Sequence, residues 1–511
     1  MNASTFSKRI TAFVLCLVVI FSFASCKENI EEETTAPTEP ETEAVIPGGS
    51  LSVPYTSTDS LNPFYCNSVL NSSLSSLVYR SLYRLDTSFS PVKDLALSES
   101  LTGLDLKVFI VPDLVFSDGG MLSATDVVYS FECAKKSEIY APALSGISSC
   151  SEADDGSVVF KLKENDVNIL SALIFPIVKN GTATSADFLP IGNGYYQYNQ
   201  DGIRLSLKAN LKYAGSLPEI GTVRLTDVKG NTSPENLVAT NEIDFCYSDL
   251  SDANVTGVST SSTGIYLNNL VYMGINHENV NLVLASFRQA ISYALDRQII
   301  AENAFRGYGR AAVVPFNTSW SGYSSALSSS SLSLTADPQK TQELLSARGY
   351  GTDGIPMELT LVCNEANAFI RNTANEIVSA LKPFNINVTI QLLSSENLRK
   401  TVQAGLYDLY IAEIKISATM DLSEFFTVSG GASHGINFGN CTVDEAYFRY
   451  KSGEISLDDF IAYFNNDMPF IPLIYRNGRF LYTRKITSEL TATEGFFFSD
   501  MHNWTFSENI N

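Results

Sequence analysis

Residue types that commonly carry catalysis are few in this chain, and none has the spacing that a reaction needs. The three histidines, His277, His434 and His502, form no H-E-x-x-H pair and no other pair at metal-ligand spacing. No G-x-S-x-G nucleophile turn occurs, and Gly192-Asn193-Gly194 lacks the Lys and Ser or Thr that follow in a phosphate-binding loop. We therefore expect no catalytic activity and no cofactor or metal site, and a hydrolase is the alternative.

Cysteine is the remaining reactive residue type, with eight copies in the chain. Cys16 and Cys26 lie at the N-terminus, and the other six are Cys66, Cys133, Cys150, Cys246, Cys363 and Cys441. None stands in a C-x-x-C spacing, which argues against zinc or redox chemistry. One or two disulfides in an exported protein and a set of free buried thiols are both consistent with this pattern.

The first 25 residues have the composition of a secretion signal. Lys8 and Arg9 precede a largely apolar stretch, Ile10 to Ala24, as in a signal peptide. This stretch is shorter than the roughly 20 apolar residues of a membrane-spanning helix. It ends in Phe23-Ala24-Ser25-Cys26, which resembles a bacterial lipobox and predicts a lipid on Cys26 at the outer face of the cell membrane. The alternative is an uncleaved N-terminal anchor.

Composition limits the remaining chain in three ways. Residues 26–47 are rich in Glu, Thr and Pro, which predicts a solvated tether. The chain has 34 basic and 55 acidic residues, a net charge of −21, so nucleic acid is excluded as a partner because phosphate binding requires clustered Lys and Arg. The rest is too long for one core, since single cores stop growing at about 250–300 residues, and at least two lobes are expected.

Beyond the tether, strand and helix patterns alternate. Alternating apolar residues predict strands at Ser50–Val53 and Leu104–Ile110. Apolar residues three and four apart predict a helix along Leu70, Leu74, Leu77, Val78 and Leu82. Ser123 and Asp126 have the spacing of a capping box at the start of another helix. A further helix face is predicted from Phe287, Ile291, Ala294, Leu295 and Ile299.

Several of these segments, taken in order, carry a resemblance to a known family. They are Leu61-Asn62-Pro63-Phe64, Tyr79 to Asp86, Pro91 to Ala96, Phe116-Ser117-Asp118-Gly119, Ser123 to Phe131, and Phe287 to Arg297. Together they resemble the family 5 extracellular solute-binding proteins, the oligopeptide and dipeptide binding group. The likeness extends from Ser50 to the C-terminus.

The resemblance implies an α/β, two-lobed periplasmic-binding-protein-like fold of class II, with a hinge and a central ligand cleft. We expect residues 48–268 and 477–511 to form lobe I and residues 269–476 to form lobe II. The two crossovers between them would form the hinge, and a ligand that touches both lobes would favour closure. The implied partners are a small solute, most simply an oligopeptide, and the permease of an ABC importer, and the protein is expected to be a monomer.

The resemblance also suggests ligand-binding residues. In the family, the loop of Asn62, Phe64 and Tyr65 borders the cleft, and Tyr65 would stack on a ligand or else pack within its lobe. A second loop carries an aromatic residue and an acid that pairs with the peptide ammonium; its counterpart here contains Glu413, Lys415, Ser417 and Asp421.

The second loop departs from the family pattern. Lys415 stands where the family has Trp, and Ala418 stands where it has Asp. A buried ammonium without a counter-charge is costly. Hence either Glu413 or Asp421 serves as the acid, or the ligand has no free amine. Lys415 would favour an anion if it faces the cleft, and otherwise it is an exposed loop residue.

Two further functions stay open at this point. The same fold could bind a non-peptide ligand such as an anion, a metal chelate, haem or an oligosaccharide, because function lies in the site and not in the fold. A degenerate member could instead act as a receptor or adhesin.

Overall fold

The computed structural model of the protein describes residues 47–228, 233–251, 260–427 and 442–507. The predicted signal peptide, the predicted lipid-attachment residue Cys26 and the tether up to residue 46 lie outside these ranges, as does Cys441.

The strands are, in chain order, β1 (Gly49–Tyr55), β2 (Tyr83–Leu85), β3 (Pro91–Lys93), β4 (Ala96–Thr102), β5 (Asp105–Ile110), β6 (Ile147–Glu152), β7 (Val158–Leu162), β8 (Tyr196–Asp201), β9 (Arg204–Ala209), β10 (Ile220–Asp227), β11 (Phe245–Ser248), β12 (Ser261–Ile275), β13 (Gly309–Ala311), β14 (Met357–Asn364), β15 (Ile386–Leu393), β16 (Leu409–Lys415) and β17 (Phe470–Tyr482).

The α-helices are α1 (Val69–Val78), α2 (Ala124–Ala134), α3 (Pro234–Ala239), α4 (Ala285–Ala294), α5 (Arg297–Ile299), α6 (Tyr323–Ser329), α7 (Pro338–Ser346), α8 (Ala368–Leu381), α9 (Ser395–Gln403), α10 (Ser423–Phe426), α11 (Thr442–Lys451) and α12 (Leu457–Asp467). A π-helical turn, Ile300–Ala304, continues α5, and 3₁₀ turns cover Ile169–Ala172, Lys382–Phe384 and Met501–Asn503. Among the described helices, none is both long and apolar enough to cross a bilayer.

Within the described residues the strands form four sheets. One has the order β1-β10-β9-β8, a second the order β4-β5-β7-β6, and β2 pairs with β3 alone. The largest has the order β11-β17-β12-β16-β14-β15, with β13 also paired to β17. Its central strands β12, β16 and β17 are antiparallel, whereas β14 pairs in parallel with both β15 and β16. The predicted strands at Ser50–Val53 and Leu104–Ile110 correspond to β1 and β5.

Two large hydrophobic cores are present in the described part of the chain. The first core takes its buried residues from between Leu51 and Leu267 and from Phe480 to Trp504. The second core takes them from Leu270 to Tyr475, and earlier segments add Leu85, Phe89 and Leu250. The expectation that one core would not suffice is therefore met.

Strands β12 and β17 run through both cores. On β12, Leu267 belongs to the first core and Leu270 to the second; on β17, Phe480 belongs to the first and Tyr475 to the second. The two strands pair with each other along most of their length, and the register shifts between Tyr266 and Asn269. This antiparallel pair is the crossing between the cores.

The start of α2 follows from its sequence. The Asp126 carboxylate accepts hydrogen bonds from the Ser123 backbone N–H at 2.8 Å and the Ser123 hydroxyl at 2.9 Å, which confirms the predicted capping box. The same side chain, 5% exposed, also accepts from the Asn180 backbone N–H at 2.8 Å. Asp126 therefore fixes the helix start and attaches a later loop to it.

The prediction that helix α4 continues to Ile299 is wrong for its last turn. Helix α4 ends at Ala294 because Leu295 adopts an extended conformation, and Asp296 then caps the short α5 by accepting from the Ile299 backbone N–H at 3.0 Å. Ile299 is 45% exposed and does not continue the apolar face. A second N-cap inside an apolar period interrupts the helix, and the period alone does not show it.

The described cysteines are all free thiols: Cys66, Cys133, Cys150, Cys246 and Cys363. Burial raises the pKa of Cys363 to about 11, so this thiol is protonated at neutral pH. The free-thiol alternative is confirmed for these five residues.

Replacing Asp126 by Ala is expected to lower the free energy of unfolding by about 1–3 kcal/mol, because buried backbone donors lose their acceptor. Urea unfolding of the variant measures this change. The exposed Asp154→Ala is the matched control. An Asp126→Ala midpoint equal to that of the control would contradict the assignment.

Candidate ligand-binding site

The loop before α1 is held by Asn62. This residue is fully buried, and its amide Nδ2 donates to the carbonyls of Ser185 at 2.9 Å and Phe188 at 3.1 Å. Its Oδ1 accepts from the Phe64 backbone N–H at 3.2 Å. The polar atoms of Asn62 thus shape the loop.

Phe64 and Tyr65 point to different surroundings. Phe64 is 5% exposed and meets Tyr140 edge to face, with ring centroids 6.2 Å apart. Tyr65 is 46% exposed. Of the three residues predicted in this loop, Tyr65 is the one whose ring is open to a ligand, and its role as a contact stays a prediction.

Glu413 lies on β16 at the crossing and is neutralised there. One carboxylate oxygen accepts from Arg476 Nε at 2.8 Å and Nη2 at 2.6 Å, and from Asn269 Nδ2 at 2.6 Å. Burial alone would lower the pKa of Arg476, but the charge and hydrogen bonds of Glu413 raise it. The contacts of Glu413 with Arg476 and Asn269 join three neighbouring strands, β16, β17 and β12.

Lys415, at the end of β16, also has a counter-charge. Its ammonium lies 2.7 Å from Glu494 Oε1; the Lys415 side chain is 62% exposed and that of Glu494 is 14% exposed. The other Glu494 oxygen accepts from the Asn268 backbone N–H at 2.7 Å. Because the Lys415 ammonium is open to solvent, this pair contributes little to stability.

The loop after β16 is held in shape by hydrogen bonds between its own residues. The Ser417 hydroxyl contacts the Thr419 hydroxyl at 2.8 Å and accepts from the Asp421 backbone N–H at 3.2 Å. The Asp421 carboxylate accepts from the Tyr447 hydroxyl at 2.8 Å and lies 3.1 Å from Lys451 Nζ. Burial raises the pKa of Asp421, but hydrogen bonds from Ser423 and the charge of Lys451 outweigh it and lower the pKa.

A second contact joins segments of the two cores. The Val167 backbone N–H donates to the Lys451 carbonyl at 3.0 Å. Lys451 Nζ lies 3.9 Å from both Asp166 and Glu164, in addition to Asp421. Burial raises the pKa of Asp166, and the charge of Lys451 opposes this shift. The Lys451 ammonium, on a side chain only 14% exposed, therefore bridges carboxylates from both sides.

The predicted residues form two groups. Glu413 and Lys415 lie at the crossing, and Ser417 follows them; among the described residues, no hydrogen bond or ion pair joins these to Asn62, Phe64 or Tyr65. A surface cavity of about 550 Å³ on the β8–β10 sheet, lined in part by Ser117, Gln197, Lys208 and Thr222, contains none of the predicted residues.

Sequence reasoning missed three charged residues at these contacts: Lys451, Arg476 and Glu494. Arg476 directly follows the apolar segment Met468–Tyr475 and lies within β17, so a charge next to a continuous apolar run was a visible signal. No comparable pattern marks Lys451 or Glu494, because their partners lie far away in sequence.

Three known proteins resemble this chain. The oligopeptide-binding protein AppA of Bacillus subtilis (strain 168) is 25% identical over 370 residues, which are 65% of this chain and 66% of AppA, so the match spans slightly less than two thirds of that relative. The structure of AppA in complex with a nonapeptide has a TM-score of 0.58 at 21% identity, covering 90% of this chain and 99% of AppA.

The other two are structures. NikA from Staphylococcus aureus in complex with Ni(L-His)2 has a TM-score of 0.58 at 18% identity and covers 90% of this chain and 100% of its own. The structure of a nickel ABC transporter from Bacillus halodurans has a TM-score of 0.72 at 18% identity. The likeness covers 88% of this chain and 98% of the transporter chain. The expected two-lobed α/β fold is confirmed by these likenesses.

The family is shown by a broader sequence match. The model of the bacterial extracellular solute-binding proteins, family 5 Middle, matches residues 90–435, more than half of the chain. This protein therefore belongs to the family 5 bacterial extracellular solute-binding proteins.

Proposed function

We propose that this protein captures an oligopeptide or a similar small solute between two lobes and delivers it, chemically unchanged, to the membrane permease of an ABC importer. The observation that carries the proposal is the crossing of β12 and β17 between two hydrophobic cores, with charged side chains gathered beside it. A lipid on Cys26 would hold the protein at the outer face of the cell membrane. No catalytic step is part of this function.

The proposed lobes follow the cores. Lobe I would comprise residues 48–268 and 477–511, and lobe II residues 269–476. The switch of core membership between Leu267 and Leu270 on β12, and between Tyr475 and Phe480 on β17, supports these boundaries.

Closure of the two lobes would allow the permease to distinguish the ligand-bound protein from the empty one. A ligand that contacts both lobes binds only the closed form, and a shift from 1:99 to 99:1 requires about 5.5 kcal/mol of preference for that form. The Lys451 bridge would add to the same preference, because its ammonium meets Asp421 on one side and Asp166 on the other.

A metal chelate is the second candidate ligand. It is favoured by the pairing of both candidate acids, Glu413 with Arg476 and Asp421 with Lys451, and by Ala418 at the family's Asp position. With both acids neutralised, a ligand without a free ammonium group fits better. One structural neighbour is named a nickel ABC transporter, and another, NikA from Staphylococcus aureus, is in complex with Ni(L-His)2.

A thermal-shift screen tests the proposed function. Nonapeptide pools or Ni(II)–L-histidine are expected to raise the melting temperature, because a ligand at about 100 times its Kd stabilises the folded state by about 2.7 kcal/mol. If only the chelate acts, the peptide assignment fails and the importer role stands. If neither probe shifts the melting temperature, the proposal is contradicted.

Replacing Lys451 by Met is expected to favour the open form, because Asp421 and Asp166 then face each other without an ammonium between them. Small-angle scattering should give a larger radius of gyration, and ligand affinity should fall by about tenfold, or ~1.4 kcal/mol.

Lys400→Met, which removes an exposed pair with Glu396, is the matched control and should change neither quantity. An unchanged radius and affinity for Lys451→Met would show that the bridge does not hold the closed form.

Cys26→Ala tests the lipid anchor. In a bacterial host, labelled palmitate should be incorporated into the wild-type protein and into Cys133→Ala, since Cys133 lies in the folded body on α2. It should be absent from Cys26→Ala. Equal labelling of all three proteins would place the lipid elsewhere.

A further inference from the structure

Arg310 is a partly buried guanidinium at the crossing. It lies on β13, opposite Tyr475 of β17, and its central carbon is 3.9 Å from the centroid of the Tyr266 ring on β12. Its Nη2 donates to Asn317 Oδ1 at 3.0 Å, and its Nη1 donates to the Ser319 hydroxyl. Every partner is electrically neutral.

Four other arginines with little exposed surface, Arg80, Arg288, Arg297 and Arg476, are compensated. Arg80, Arg288 and Arg476 lie 2.6–3.0 Å from the carboxylates of Asp94, Asp467 and Glu413, respectively. Arg297, which has no such carboxylate, donates instead to the backbone carbonyls of Pro472 and Ser292 at 2.9 and 3.0 Å.

Arg310 has neither form of compensation. Within the described ranges no carboxylate lies at ion-pair distance from it, and its buried Nε has no hydrogen-bond acceptor. Burial lowers the pKa of Arg310 to about 10, against partial opposition from neighbouring tyrosines. A guanidinium buried without a counter-charge costs free energy.

Arg310 is connected to the candidate site. Asn317, its hydrogen-bond partner, donates to Asn268 Oδ1 at 2.8 Å. Asn268 in turn donates its backbone N–H to Glu494, the partner of Lys415, and its side-chain amide to the Ser417 carbonyl at 2.9 Å. Tyr266 is 41% exposed, so a molecule at the crossing can reach the pair that it forms with Arg310.

We infer that Arg310, stacked on Tyr266, binds a carboxylate group of the transported solute. A carboxylate supplies the missing negative charge and accepts from a guanidinium in a planar, two-bond geometry. The inference deepens the proposed function and rests on it. A peptide C-terminus and the amino acid of a metal chelate both offer this group, and the experiment distinguishes them.

Two matched probe pairs test the inference by calorimetry. One pair is a nonapeptide pool with free C-termini and the same pool with C-terminal amides; the other is Ni(II)–L-histidine and Ni(II)–histamine, which lacks the carboxylate. The wild-type protein should prefer the carboxylate form of one pair by tenfold or more. That pair identifies the source of the carboxylate.

Arg310→Gln should reduce the preference to less than threefold, whereas Arg348→Gln, at an exposed arginine, should retain it. An undiminished preference in Arg310→Gln overturns the inference. Equal affinity of the wild-type protein for both members of each probe pair that binds also overturns the inference. In that case the proposed binding function still stands. Failure of the wild-type protein to bind any of the four probes overturns the binding function as well.

Ligand-free melting temperatures separate recognition from structural support. Arg476→Gln should melt several degrees below the wild-type protein, because Glu413 loses its partner, whereas Arg310→Gln should not melt lower. A decrease in Arg310→Gln as large as that in Arg476→Gln overturns the inference. If Arg310→Gln is insoluble, Arg310→Lys replaces it; loss of two-bond geometry should reduce the preference at least threefold, and an unchanged preference overturns the inference.

Discussion

The hydrogen-bonded ladder between β12 and β17 joins the two hydrophobic cores, and the rest of the architecture is arranged around it. Each strand contributes apolar residues to both cores, so the ladder must change its surroundings within a few residues. The register shift between Tyr266 and Asn269 falls at this change. A bulge bends a strand pair and increases its local twist, which allows one pair of strands to contribute side chains to both cores.

The same crossing has an unusual distribution of charge. The chain as a whole is strongly acidic, with a net charge of −21, yet the acids nearest the crossing are already occupied. Glu413 is held by Arg476, and Glu494 is shared between Lys415 and the Asn268 backbone N–H. Arg310 adds a positive charge that no described acid balances. The site that we propose here therefore offers a partner to a negatively charged group and none to the ammonium that the family pattern suggests.

Local patterns predicted much of the fold. Period-two apolar spacing identified β1 and β5, and the Ser123–Asp126 spacing identified the start of α2. Spacings of three and four identified α1, but the prediction that Leu82 belongs to this helix is wrong, because α1 ends at Val78 and Tyr79 is extended. The break at Asp296 was missed because an N-cap inside a continuous apolar period leaves the period unchanged. The candidate site was harder, since Lys415 pairs with Glu494 and Lys451 with Asp166. Such pairs join residues far apart in sequence, and only the packing of the cores brings them together.

The position of β17 in the chain has a consequence for biogenesis. Its residues, Phe470–Tyr482, are synthesised after those of its partner strand β12 and after every other described strand. Domains begin to fold from the N-terminus during synthesis, but the junction between the cores lacks one of its two strands until this late segment is made. A nascent chain in which β17 has not yet been made therefore has no complete junction, and the two cores can be joined only after this strand has been synthesised.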